Sequence, residues 1–87
     1  MIPPWTLHLH RDVIRYLVSL RESGDAIRRA VRSLAYLGDG IPPGGVTQIQ
    51  LGILLWETEG HAVVYEREPE KRRLLITQVE RIRIEER

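Results

Sequence analysis

Few side chains in this sequence can move a proton or present a reactive electron pair. His61 stands beside Gly60 at the head of an apolar, β-branched run. A histidine there can serve as general acid or base near neutral pH, although an exposed histidine beside a turn is the simpler reading. His8 and His10 fall on one side of a short alternating segment, a His-x-His spacing that can chelate a metal. No third ligand lies near them in sequence and cysteine is absent, so a solvent-facing pair is expected, with no metal and no cofactor. The serines, Ser19, Ser23 and Ser33, all sit in the first half without a strained elbow around them, which leaves no Ser-His-Asp arrangement. Pro42-Pro43-Gly44-Gly45 has no Lys-Ser/Thr after it and no strand before it, so it is not a phosphate loop.

Cations are the more abundant resource. Of 13 basic residues one is lysine, and the rest are arginine. The arginine fork suits phosphates and carboxylates, which fits RNA, DNA or an acidic protein partner. A GC-rich genome or a thermophile explains the same bias. Lys71, Arg72 and Arg73 form a short basic cluster that could contact phosphate without reading sequence. Arg28, Arg29 and Arg32 share one helical face, and Asp25 lies at ion-pairing distance along the chain from the first two. Charge is unevenly spread. Arginine dominates between Arg11 and Leu37, glutamate between Glu57 and Glu70, and basic residues again after Lys71.

The elements that must position these groups follow from periodicity. Trp5 to His10 alternates at period two, with Trp5, Leu7 and Leu9 on one face. From Asp12, an N-cap or first-turn acid, the period becomes helical, with Val13, Ile14, Leu17, Val18 and Leu20 in one stripe. Ser23-Gly24-Asp25 interrupts it. A second helix follows, with Ile27, Ala30, Val31 and Leu34 on its apolar face and Gly38 placed to end it. Helices are expected near 11–22 and 25–37. Gly38 to Gly45 can be neither helix nor central strand. Three strands come next: Ile49–Thr58, His61–Glu66 and Leu74–Val79, the first two joined by Glu59-Gly60. Residues 80–87 alternate, as a strand extension or a tail. The fold class is α+β: a two-layer domain in the order β-α-α-β-β-β, with a helical hairpin packed on a three- to four-stranded antiparallel sheet. The expected core comprises Leu17, Ile27, Val31, Leu34, Leu55, Val63 and Leu75.

This order of elements resembles the RelE/ParE superfamily, the toxins of type II toxin–antitoxin systems. Leu55-Trp56-Glu57-Thr58 resembles that family's aromatic-Glu-Leu-Arg strand. Glu59 to Tyr65 is similar to its Gly-Asp-Tyr-Arg-Val-Ile-Tyr hairpin, and Leu74 to Arg81 to its last strand, which ends in a basic residue. The resemblance implies an antitoxin as partner and either ribosome-bound mRNA or DNA gyrase as target. It also makes Arg81 the leading catalytic candidate, with His61 as proton carrier. Two arginines expected of an RNase of this family are replaced, by Ala62 and Glu59. RNA cleavage needs cations for the phosphorane charge, so these replacements favour action by binding over action as a ribosome-dependent endonuclease.

With 87 residues the chain is long enough for one domain, 1–87. Its longest unbroken apolar stretch, Ile53 to Trp56, is far below the ~20 residues of a membrane helix. The first residues lack the basic and apolar regions of a secretory signal, and a cytoplasmic location with no membrane partner is expected. A homodimer stays open. So does a third reading, an unrelated α+β interaction module that pairs through its last strand, where Ile82 and Ile84 alternate with charge.

Overall fold

A computed structural model describes residues 2–83. Within them the chain is α+β, with two helices on one face of a five-stranded mixed sheet. Strand β1 is Thr6–Leu9, helix α1 Arg11–Ser19 and helix α2 Asp25–Ser33. Four strands follow: β2 Thr47–Gln50, β3 Ile53–Thr58, β4 His61–Glu68 and β5 Arg73–Arg81. The sheet order is β1-β5-β4-β3-β2.

The helices are shorter than their apolar stripes. His10 caps α1, its Nδ1 accepting from the Asp12 N–H at 3.1 Å, so Asp12 takes the first-turn position. After Ser19 the chain tightens into a 3₁₀ turn, Arg21–Gly24. Gly24 is needed there for packing. A Cβ on it would lie 2.7 Å from the Leu20 Cβ and 2.6 Å from an Arg28 nitrogen. Arg28 reaches over this glycine to the carbonyl of Leu17 at 2.5 Å, to the carbonyl of Arg21, and to Asp25 at 2.5 Å. It thus satisfies carbonyls that the end of α1 leaves open. Helix α2 also ends in a 3₁₀ turn, Leu34–Tyr36, and Gly38 does not adopt the left-handed cap expected of it.

Two features of the sheet correct the sequence reading. The run expected as one strand, Ile49–Thr58, is a hairpin, because Gly52 at φ 80° turns the chain between β2 and β3. The sheet is mixed, because β1 pairs in parallel with β5, Thr6 opposite Arg73 and Leu9 opposite Ile76. Parallel pairing needs a long crossover between the strands, and the helices together with β2–β4 supply one. The β3–β4 turn matches its expectation: Glu59 and Gly60 both take positive φ, at 51° and 71°, as a two-residue hairpin loop requires. Strand β5 extends to Arg81, so the alternating segment begins as strand; residues 84–87 of the expected extension or tail lie outside the described residues.

The core lies between the helices and the inward face of the sheet. Leu17, Ile27, Val31, Leu34 and Val63 are buried as expected. Leu55 and Leu75 are not; they stand half-buried on the outward face, and Leu54, Leu74 and Ile76 take the inward positions. The runs Ile53-Leu54-Leu55-Trp56 and Leu74-Leu75-Ile76 are apolar on both faces, so alternation in the sequence does not mark the inward side. Pairing of Leu54 with Tyr65 sets it. Among the described residues no helix is long and apolar enough to cross a membrane.

Leu34 is fully buried. Leu34→Ala should cost about 2–5 kcal/mol in denaturant unfolding, and Leu55→Ala, half-exposed, clearly less. Tyr65 yields a second test. Its hydroxyl donates to the Gly40 carbonyl at 2.7 Å, and burial pushes its pKa from 10.0 up to about 12, with Arg67 opposing and Asp39 reinforcing the rise. Above pH 10.0 the unfolded chain loses a proton that the native state holds until about 12. Stability should therefore fall across that window, and Tyr65→Phe should remove this component of the slope. Urea midpoints of both proteins at several alkaline pH values would check it.

Candidate functional site

The two candidate catalytic residues meet. His61 opens β4, Arg81 closes β5, and the two are register partners across the sheet. Cross-strand partners project to the same side, which here is the side of the helices. A third residue completes the group. Tyr16, on α1, places its hydroxyl 2.7 Å from His61 Nε2, with the rings edge to face at 5.6 Å. Arg81 and Arg83 are exposed and line the adjoining cleft with Tyr16, Val79 and Glu80.

The partner of Nδ1 constrains the histidine tautomer. His61 Nδ1 lies 2.8 Å from the Glu59 carbonyl, which can only accept. Nδ1 therefore carries a proton, and in the neutral imidazole Nε2 accepts from the Tyr16 O–H. His61 is 4% exposed, with both ring nitrogens occupied inside the protein. An imidazole in this state takes a substrate proton only after Tyr16 moves away. Of this pair, Tyr16 is the one that lines the cleft.

The positions that the family resemblance pairs do not converge. Ala62 is offset by one residue from His61 and so faces outward, whereas Arg81 shares the inward side with His61. The cross-strand neighbours of Ala62 are Glu57 and Glu80. Two carboxylates flank the place where the resemblance calls for a cation, and their field repels phosphate. Glu59 sits exposed in the turn, where its carbonyl anchors His61.

The other basic candidates separate into different roles. Arg28 is engaged in capping α1, while Arg29 and Arg32 are exposed on α2. Arg73 donates through Nε to Glu68 at 2.6 Å, and Lys71 stands 3.9 Å from the same carboxylate. The hydrogen bond from Arg73 holds Glu68 below the usual carboxylate range and raises Arg73 in turn. Arg72 turns to the Trp5 ring. His8 is exposed and His10 caps α1; among the described residues no group of three His, Cys, Asp or Glu is placed to hold a metal ion. Tyr16 escaped the sequence reading as a site residue because 45 positions separate it from His61, and no spacing rule links them.

Tyr16→Phe should leave the buried Nε2 without a donor and cost about 1–3 kcal/mol, read from denaturant unfolding. Nitrogen-15 spectra of the wild type should show His61 protonated on Nδ1; an Nε2–H tautomer would refute the assigned arrangement. No family model, curated protein or solved structure matches the chain.

Proposed function

We propose that this chain is a toxin-like component of a type II toxin–antitoxin pair of the RelE/ParE kind, acting by binding a macromolecule and neutralised by an antitoxin segment. The observation that carries this reading is the outer surface of α1. Ile14 and Val18 are 49% and 67% exposed, and Arg11 and Arg15 stand beside them on the same helix. Next to them a groove runs between α1, α2 and β1, with Leu7, Leu9 and Val31 in its floor and Arg32 at its rim. Apolar residues framed by arginines that form no ion pair among the described residues suit an amphipathic, acidic segment laid into the groove. DNA gyrase as target is compatible with this mode, since inhibition by binding needs no catalytic constellation in the chain.

The second reading, a ribosome-dependent mRNA endonuclease, is favoured by one observation, the juxtaposition of His61 and Arg81. Against it stand the sequestered imidazole and the two glutamates beside Ala62.

Expression of the chain alone should arrest growth, and co-expression with the adjacent open reading frame should restore it and yield a co-purifying complex. Val18→Glu should weaken that complex about tenfold or more, because a charge is then buried against an acidic partner. Ribosomes programmed with mRNA should show no cleavage by the purified protein. Cleavage that disappears in Arg81→Ala would establish the endonuclease instead.

A further inference from the structure

Trp5 is 2% exposed, and its edges are accounted for. The indole N–H donates to the Gly38 carbonyl at 3.3 Å, and the benzo ring lies against Gly40. The π system carries two cations. The guanidinium carbon of Arg72 lies 5.0 Å from the ring centroid, and that of Arg67 lies 5.5 Å away. Each contact alone is an ordinary cation–π pair. Two like charges on a single ring repel one another, and among the described residues neither forms an ion pair with a carboxylate. Glu68, next to Arg67 in the chain, is taken by Arg73 and Lys71. Arg67 Nε is closed off from solvent and has no hydrogen-bond partner.

The backbone under Arg72 is also held in a costly state. Its φ of 52° and ψ of 48° lie in the left-handed region, which few residues with side chains adopt. The Arg72 N–H donates to the Pro69 carbonyl at 3.1 Å, and its own carbonyl accepts from the Thr6 N–H at 2.9 Å. These two bonds fix the point from which the side chain reaches the ring.

We propose that Arg67 and Arg72, held against Trp5, form a binding site for a phosphate group. A carboxylate has two oxygens, and a single guanidinium fork fills both. A phosphate has further oxygens with which to engage a second fork, and its charge offsets the repulsion between the two cations. The indole restrains both forks before the ligand arrives, which lowers the ordering cost of binding. The site lies at the opposite end of β4 and β5 from His61 and Arg81, and it is independent of the toxin-type reading.

The test is a titration of the full-length, nitrogen-15-labelled chain with inorganic phosphate, and in parallel with a short single-stranded oligoribonucleotide. Chloride at matched ionic strength is the control. The Arg67 Nε–H and Trp5 indole N–H signals should shift saturably, while the Trp56 indole stays in place. Arg72→Gln, an exposed position, should weaken binding at least about tenfold, with a cooperative thermal melt retained. Arg83→Gln, at the far end of the sheet, should bind as the wild type does. Saturation by inorganic phosphate alone would identify a free phosphate or phosphomonoester ligand. Much tighter, salt-dependent binding of the oligonucleotide would identify a phosphodiester backbone. The site is refuted if neither probe gives a saturable shift, if chloride reproduces it, or if Arg72→Gln binds as tightly as the wild type.

Discussion

A buried indole joins the parts of this chain that are farthest apart in sequence. The Trp5 main-chain N–H bonds to Ala35 at the exit from the helices, and its side chain bonds to Gly38 three residues later. The next N–H, of Thr6, bonds to Arg72 at the entry to β5. Three elements are therefore tied at one point, and the parallel β1–β5 pairing starts from it. Gly40 completes the arrangement. It sits at φ 71°, and a Cβ there would press at 3.3 Å on Trp5 and at 3.2 Å on Leu74. Tyr65 holds the carbonyl of the same glycine from the sheet side. The loop after the helices is thus clamped between two large aromatic side chains, and the helical layer takes its position over the sheet from that clamp.

Local signals in the sequence carried as far as local physics reaches. The helical periodicities of α1 and α2, the Glu59-Gly60 turn and the inward positions of Leu17, Ile27, Val31 and Leu34 each depend on a few neighbouring residues, and all were legible. Whatever depends on distant pairing was not. The β2–β3 hairpin was hidden because Leu51-Gly52 is a sparse turn signal inside an apolar stretch, where an isolated glycine reads equally as a bulge. The inward side of β3 and β5 was hidden because both faces are apolar there. The parallel β1–β5 pair has no local signature at all. At the candidate site, His61 and Arg81 were named separately, but their partnership is a register fact and Tyr16 is a packing fact.

Neutralisation decides which polar groups remain available to a partner. Arg28 is drawn inward to the end of α1, Arg73 and Lys71 to Glu68, and His61 to Tyr16 and Glu59. Arg11, Arg15, Arg29 and Arg32 on the helices remain exposed. The outward face of the sheet carries Glu57, Glu66 and Glu80 around a half-buried patch of Ile53, Leu55, Val64 and Leu75. The two layers thus present opposite charge. The modest net charge of +1 is the sum of two surfaces that would attract different partners.

The sheet tapers toward its edges. Its inner strands β4 and β5 have 8 and 9 residues, whereas the outermost strands β1 and β2 have 4 each. Strand β2 is also irregular in register between Gln48 and Gln50. Where β5 overruns β1, α1 stands beside it, with Asp12, Val13 and Val79 around one hollow. A foreign strand seeking to lengthen the sheet therefore finds only a few backbone groups on β1 and on β2, those on β2 are out of phase, and the rest of β5 lies beside α1. Templated stacking of one molecule on the next is starved of the continuous ladder that fibrils require. Among the described residues the short, irregular rims oppose polymerisation through the β-rich interior.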